Sequence, residues 1–224
     1  MPYPRRAPSL GEDHTPVAAR LVASPRPQHG GLVFVLSGPS GVGKDSVMNC
    51  LRDEDLNLHF CVTATTRRQR PGETHGINHY FVGRDEFQGM RDAGELLEWA
   101  LVHENYYGVP LQEVRQAFAR GLDPFMRVDV QGAASVRARL PRAVLVFLAP
   151  ESIDDLSPRL QERGTETADE MALRLANARR EMEALPQFDY VVVNRQGCLA
   201  ESVAAVRAIV LAERCKVEPR WVIV

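Results

Sequence analysis

Residues 32–47 read "LVFVLSGPSGVGKDSV", and this stretch decides the fold class. The run 32–37 is short and almost entirely apolar, which is typical of a strand buried on both faces of a parallel sheet. A glycine-rich loop follows it, and beyond the loop Val47, Cys50 and Leu51 recur at helical spacing. A buried strand, a loop and a helix in this order predict an α/β core.

The loop 38–44 has the pattern G-x-x-x-x-G-K, which is typical of a phosphate-binding loop. Its glycines allow backbone N–H groups to turn toward an anion, and the N-terminus of the next helix adds positive potential. Lys44 stands where an ammonium group reaches the β- and γ-phosphates of a nucleotide. We expect an ATP site made of Gly38, Pro39, Ser40, Gly41, Val42, Gly43, Lys44, Asp45 and Ser46, with Asn194 at the adenine border.

The rest of the chain alternates strands with helices, which predicts a parallel sheet with helices on both faces. Strands are predicted at 59–65, 124–130, 143–150 and 190–194, and helices at 111–121, 132–140, 152–185 and 199–215. Residues 66–108 lack this alternation and are expected to form an inserted lobe. The predicted plan is a disordered leader (1–30), one domain (31–214) and a tail (215–224). Within the domain we expect a core (31–65 and 109–214) and the lobe (66–108).

Composition limits the partners and the location. The chain has 224 residues, of which 45% are hydrophobic and 25% charged, and a formal net charge of −2. This balance gives no bulk electrostatic reason for binding nucleic acid or an anionic membrane. The four cysteines are scattered without a CxxC pair, and there is no run of about 18 apolar residues. We expect a cytoplasmic protein with reduced thiols that is a monomer or a homodimer.

Five ordered blocks resemble the guanylate kinase family, and they extend from about residue 32 to 210. They are "GPSGVGK" (38–44), "TTRRQRPGETHG" (65–76), "GELLEWALVHENYYG" (94–108), "RVDVQGA" (127–133) and "RLQERGTET" (159–167). The resemblance implies transfer of a phosphoryl group from ATP to GMP with Mg²⁺, giving ADP and GDP in purine nucleotide salvage and recycling. It also implies a P-loop core, a GMP-binding lobe and a helical lid (154–175) that closes over the reaction.

The resemblance assigns roles to individual residues. Arg67 and Arg70 would clamp the GMP phosphate, and Glu98 would accept hydrogen bonds from guanine. Asp45 and Asp129 would hold Mg²⁺, directly or through water. The predicted catalytic residues are Lys44, Arg70, Arg159, Arg163 and Arg174. The predicted GMP site consists of Thr63, Arg67, Arg70, His79, Glu98, Tyr107, Val109, Arg127 and Asp129.

Two departures from the family pattern concern phosphate and metal binding. Asp45 replaces the Ser or Thr of the loop, and we hypothesise that its carboxylate contacts Mg²⁺ because Mg²⁺ prefers hard oxygen ligands. His79 stands where the family has a second phosphate-binding tyrosine, with Tyr80 beside it. Either the imidazole donates to the phosphate, or Tyr80 supplies packing only and the contact is lost.

Two further departures concern the base. Val109 replaces a Ser or Thr that contacts the base carbonyl, and Arg127 replaces a residue that is usually acidic. Arg127 would donate to guanine O6 or pair with Glu98, and the sequence leaves both arrangements open. The loss of one neutral hydrogen bond costs about 0.5–1.5 kcal/mol, which reduces base selectivity more than it reduces activity.

Two alternative functions exist on the same fold. The segments "GKDS", "NH" (78–79) and "YYGV" (106–109) also resemble ribose 1,5-bisphosphate phosphokinase, whereas "TTRRQRPGE" and "LLEW" favour a nucleotide acceptor. The second alternative is a guanylate-kinase-like binding module without catalysis. The intact Lys44 and the lid arginines argue against that module.

Overall fold

A computed structural model describes residues 25–102, 104–156 and 168–224. The strands are β1 (Gly30–Gly31), β2 (Phe34–Ser37), β3 (Leu58–Phe60), β4 (Thr63–Thr65), β5 (His79–Phe81), β6 (Leu96–Val102), β7 (Asn105–Pro110), β8 (Asp123–Arg127), β9 (Val144–Ala149), β10 (Tyr190–Val193) and β11 (Val222–Ile223). The longer helices are α1 (Lys44–Arg52), α2 (Arg84–Asp92), α3 (Leu111–Ala119), α4 (Val130–Arg139), α5 (Ala168–Met182) and α6 (Leu199–Arg214). Among the described residues, no helix has both the length and the apolar character that crossing a bilayer requires.

The main sheet has five parallel strands in the order β10-β9-β2-β8-β3. Each parallel connection runs through a helix or a longer excursion, as parallel pairing requires. The strand β2 lies at the centre, and the glycine-rich loop and α1 follow it directly. The predicted α/β class with a parallel sheet flanked by helices is confirmed.

The alternation of side chains along residues 33–36 explains why this run is apolar without interruption. Phe34 and Leu36 pack into a cluster with α1 and α6 on one face of the main sheet. Val33 and Val35 pack into a second cluster with α3 and α4 on the other face. All four side chains are fully buried, because successive residues of a strand point to opposite faces and both faces are covered.

The second sheet has four strands in the order β5-β4-β7-β6 and occupies residues 63–110 together with α2. The prediction of one strand over 59–65 was wrong, because β3 belongs to the main sheet and β4 to the second sheet. The chain leaves the main sheet at Cys61 and Val62. The Cys61 N–H still donates to the Phe125 carbonyl, but the Val62 N–H donates to the Glu113 carboxylate, which ends the ladder.

Both ends of the described chain are attached to the core. β1 and β11 pair antiparallel, with Gly30 opposite Ile223. Arg26 forms an ion pair with the buried Asp123 at 3.0 Å, and Val222 is buried in one of the core clusters. The boundary that was expected at residue 30 therefore falls within a strand, and residues 215–224 contribute to the fold.

Candidate active site

A cavity of about 950 Å³ lies between the phosphate loop and the second sheet. Its volume is within the range of small-molecule sites. Most of the residues predicted from the sequence line it: Ser40, Gly41, Val42, Gly43, Lys44, Asp45, Ser46, Thr63, Arg67, Arg70, His79, Tyr107, Arg127, Asp129, Arg174 and Asn194. The expected ATP loop and the expected phosphate clamp therefore share one cavity.

Some predicted site residues are not on the cavity wall. Glu98 and Val109 are buried and do not line the cavity, and Gly38 and Pro39, at the start of the loop, do not line it either. The lid residues Arg159 and Arg163 are outside the described residues.

Backbone geometry explains the glycines of the loop. Gly38 and Gly43 have positive φ angles of 138° and 100°, which side-chain-bearing residues rarely adopt. Lys44 stabilises the turn from within, because its Nζ donates to the carbonyls of Gly38 (2.5 Å) and Pro39 (2.9 Å). The ammonium group is thereby placed beside the backbone that would surround a phosphate.

Asn194 supports the loop from the end of β10. Its Nδ2 donates to the Val42 carbonyl at 2.7 Å, and its Oδ1 accepts from the Ser202 hydroxyl at 2.9 Å. A Cβ at Gly43 would lie only 2.6 Å from the same Nδ2 atom. Asn194 therefore positions the loop, in addition to lining the cavity.

Glu181, which the sequence analysis missed, contacts the loop from α5. Its Oε2 accepts a hydrogen bond from the Ser40 N–H at 3.2 Å. A carboxylate thus binds a backbone donor of the anion-binding loop. The sequence gives no signal for this contact, because 141 positions separate the two residues.

The predicted clamp depends on a second missed residue, Glu73. Arg67 donates from both terminal nitrogens to its carboxylate, at 2.7 and 2.6 Å, and the Arg70 N–H donates to it at 2.8 Å. The hydrogen bonds from Arg67 are the main cause that lowers the pKa of Glu73 to about 2. A Pro71–Gly72 turn brings Glu73 back toward Arg70. An acidic residue directly after a Pro-Gly turn is therefore the sequence feature that could have identified Glu73.

His79 is almost buried, and its Nδ1 is 2.7 Å from the Thr63 hydroxyl. Burial, and secondarily the charge of Arg67, lowers the pKa of His79 below its usual 6.5. The ring is therefore neutral at pH 7 and adds no cationic charge to the cavity. Its ring centroid lies 6.1 Å from that of Tyr107.

Glu113, also missed, joins the two sheets. Its Oε2 is 2.9 Å from His59 Nε2 and accepts from the Val62 N–H at 3.0 Å. Its Oε1 accepts from the Tyr80 hydroxyl at 2.8 Å. The Tyr80 hydroxyl therefore forms a hydrogen bond, whereas the second alternative from the sequence assigned Tyr80 a packing role only.

Glu98 lies on β6 with its side chain against the start of α4. Only 5% of the residue is exposed, and a Cβ at Gly132 would lie 2.6 Å from its Oε2. Burial, and then the charge of Asp129, raises the pKa of Glu98 to about 8. Asp129 caps α4, because its Oδ1 accepts from the Gly132 N–H at 2.7 Å.

Asp45 and Arg127 form an ion pair at the mouth of the loop. The sequence left two contacts of Arg127 open, with guanine O6 or with Glu98, and the ion pair with Asp45 is a third contact. The register of the main sheet explains it, since Leu36 of β2 pairs with Arg127 of β8. The end of β8 therefore lies beside the point where the chain enters the loop.

A sequence profile of guanylate kinases matches residues 31–213, which is most of the chain. The chain belongs to the guanylate kinase family. "Guanylate kinase 2, chloroplastic/mitochondrial" of Oryza sativa subsp. japonica is 47% identical over 200 residues, covering 89% of this chain and 70% of that protein. A guanylate kinase of Halalkalibacterium halodurans is 46% identical, covering 84% and 91% of the two chains.

A solved guanylate kinase has the same fold. The crystal structure of guanylate kinase from Anaplasma phagocytophilum superposes with a TM-score of 0.69 at 32% identity, covering 84% of this chain and 89% of that one. The prediction of a guanylate kinase fold and family is confirmed.

The chain's acidic residues fit the divalent metal that kinases of the guanylate kinase family generally use. Asp45 and Asp129 both line the cavity, and Asp45 directly follows Lys44 in the chain. Their carboxylates are the hard oxygen donors that Mg²⁺ prefers. The described part of the chain thus offers two suitable ligands beside the expected phosphates.

Proposed function

We propose that this protein phosphorylates GMP with ATP, giving GDP and ADP in purine nucleotide salvage and recycling. The observation that carries the proposal is the shared cavity, with the phosphate loop on one side and Arg67 and Arg70 on the other. Family membership over most of the chain supports the same reaction. Two nucleotides would meet end to end across this cavity.

Phosphoryl transfer needs positioning and charge stabilisation more than covalent chemistry. The loop amides and Lys44 would hold the β- and γ-phosphates of ATP. Arg67, fixed by Glu73, and Arg70 would hold the GMP phosphate at the opposite wall. This arrangement would align the acceptor oxygen with the transferred group and lower the entropic cost of the reaction.

Asp45 and Asp129 would hold Mg²⁺, directly or through water. When bound, Mg²⁺ neutralises charge that develops on the phosphate oxygens. Arg174 lines the cavity from α5 and would add positive charge there. The roles of Arg159 and Arg163 in closing the lid remain predictions.

Base recognition would depend on Glu98, which is buried and does not line the cavity in this structure. Because the pKa of Glu98 is raised to about 8, its carboxyl would have to release a proton on binding guanine, and it would then accept from the N1–H and the amine of the base. Adenine does not offer this pair of donors. Val109 is fully buried and contributes no hydrogen bond to the base from its side chain. We therefore expect a preference for GMP that rests on fewer side-chain hydrogen bonds than the family pattern provides.

A panel of acceptors with ATP tests this function. GMP, AMP, UMP and ribose 1,5-bisphosphate are each offered with Mg²⁺ and, separately, with EDTA. We expect ADP release with GMP in Mg²⁺ and none in EDTA. Turnover of ribose 1,5-bisphosphate alone would favour the related phosphokinase, and no ATP consumption with any acceptor would favour a binding module.

We also propose a cytoplasmic location, because all four cysteines are free thiols. The printed name of the rice relative assigns that protein to chloroplasts and mitochondria. Cell fractionation with an antibody against the native protein tests the location. Light scattering of the purified protein decides between a monomer and a homodimer.

A further inference from the structure

The ion pair of Asp45 and Arg127 joins the start of α1 to the end of β8 at the cavity. Asp45 is in the first turn of α1, directly after Lys44, and 57% of its side chain is exposed. Arg127 ends the strand β8, and 24% of its side chain is exposed. Both residues therefore face the space in which a nucleotide's phosphates would lie.

Asp45 creates an electrostatic problem for the loop. The backbone donors at the N-terminus of α1 favour any anion, whether a carboxylate or a phosphate. An uncompensated carboxylate at this position would repel the phosphates that the loop binds, and in a partly desolvated cavity the repulsion is stronger than in water. Binding of metal-free nucleotide therefore needs a cation that compensates Asp45.

Arg127 supplies this cation from a position fixed by the sheet. The parallel register of β2 and β8 sets its backbone beside the start of the loop. Both positions also depart from the family pattern in charge: an acid replaces Ser or Thr, and a base replaces an acid. The two departures are in direct contact and compensate each other.

We propose that Arg127 is a positioning residue that acts through Asp45, neutralising and orienting its carboxylate so that the loop accepts nucleotide phosphates. The inference rests on the proposed function only in that the loop binds a nucleotide. It separates Arg127 from the guanine contacts that the family resemblance implies for this position. A direct contact of Arg127 with phosphate is the competing explanation.

A double-mutant cycle on ADP affinity distinguishes the two explanations. The proteins are the wild type, Arg127→Gln, Asp45→Asn and the double variant, and calorimetry measures ADP binding in EDTA. Arg127→Gln should weaken binding about tenfold, or about 1.4 kcal/mol, when Asp45 is present, because the two charges are in contact and therefore coupled. In the Asp45→Asn background the same change should cost less than about threefold.

Two further measurements separate this role from a structural one. Arg127→Lys keeps the charge, so its ADP affinity should stay within about threefold of the wild type. The thermal unfolding of each variant without ligand shows whether the fold is retained. If Arg127→Gln does not fold, Arg127→Met replaces it in both the wild-type and the Asp45→Asn backgrounds of the cycle.

Equal losses in both backgrounds would overturn the proposal, because Arg127 would then act on the phosphates independently of Asp45. Unchanged affinity in Arg127→Gln would overturn it as well. The cycle uses no phosphoryl acceptor, so it can be read even if GMP is not the substrate. Conversely, if the protein phosphorylates GMP but the two substitutions have additive effects on ADP affinity, only the proposed role of Arg127 is wrong.

Discussion

The phosphate loop and the opposite wall of the cavity are built in different ways. The loop is shaped mostly by neighbours in sequence, through positive-φ glycines and the bonds from Lys44 to Gly38 and Pro39. The opposite wall combines side chains from β4, β5 and β7 with the turn at 70–73. Its geometry depends on carboxylates that hold other residues, such as Glu73 with Arg67. One wall is therefore set by backbone conformation and the other by pairs of charged side chains.

The largest expected effect comes from the loop. Lys44→Met should reduce kcat by about 10²–10³-fold, because it removes a cation that stabilises the transferred phosphoryl group. Steady-state kinetics with ATP and GMP measures it. Lys216 is the other lysine of the chain, and it pairs with Glu213 instead of lining the cavity.

Lys216→Met is thus a control that removes the same charge away from the site. We expect its kcat to stay close to that of the wild type. A similar fall in both variants would mean that net charge, and not the position of Lys44, controls the rate.

A smaller effect is expected from the opposite wall. Glu73→Gln should raise the KM for GMP by about tenfold with a smaller change in kcat, because Arg67 loses the partner that orients it. The matched control is Glu86→Gln, an exposed glutamate on α2. An unchanged or lower KM in Glu73→Gln would show that Glu73 competes with the GMP phosphate for Arg67.

The smallest effect concerns the pH dependence of stability. The raised pKa of Glu98 means that the folded protein keeps a proton up to about pH 8, whereas the unfolded chain releases it near the usual value of 4.5. Its contribution to stability is present below that usual value and is lost as the pH rises through about 8. Between these pH values this proton lowers the unfolding midpoint as the pH rises. Glu98→Gln should make that decrease smaller by about 2–4 °C.

Thermal scans from pH 5 to pH 9 measure this slope. Glu95→Gln is the control, because Glu95 is exposed and lies three positions before Glu98 on the same segment. If Glu98→Gln and the wild type have the same slope, Glu98 is not the source of the pH dependence of the unfolding midpoint.

The sequence predicted the features that depend on local patterns. The strand β2, the loop after it and the helix α1 follow from apolar periodicity and glycine spacing. It missed the division of 59–65 into two strands, because the Glu113 contact that ends the first strand comes from a distant helix.

Long-range side-chain contacts could not be predicted for the same reason. Arg127 contacts Asp45 only because two parallel strands have a particular register. Glu181 reaches Ser40 from a helix far along the chain. Such contacts depend on the folded geometry, and no spacing in one sequence encodes them.

Glu113 also ties the two sheets together through a single carboxylate. Its carboxylate holds His59 from the main sheet and Tyr80 from the second sheet. The chain crosses between the sheets at 61–62 and at 110–111. The Val62 N–H at the first crossing donates to the Glu113 carboxylate, and the second crossing lies two to three residues before Glu113 in sequence. Any rotation of the second sheet that preserves these hydrogen bonds must therefore have its axis near Glu113. The parts of that sheet farthest from the pivot then travel the longest arc.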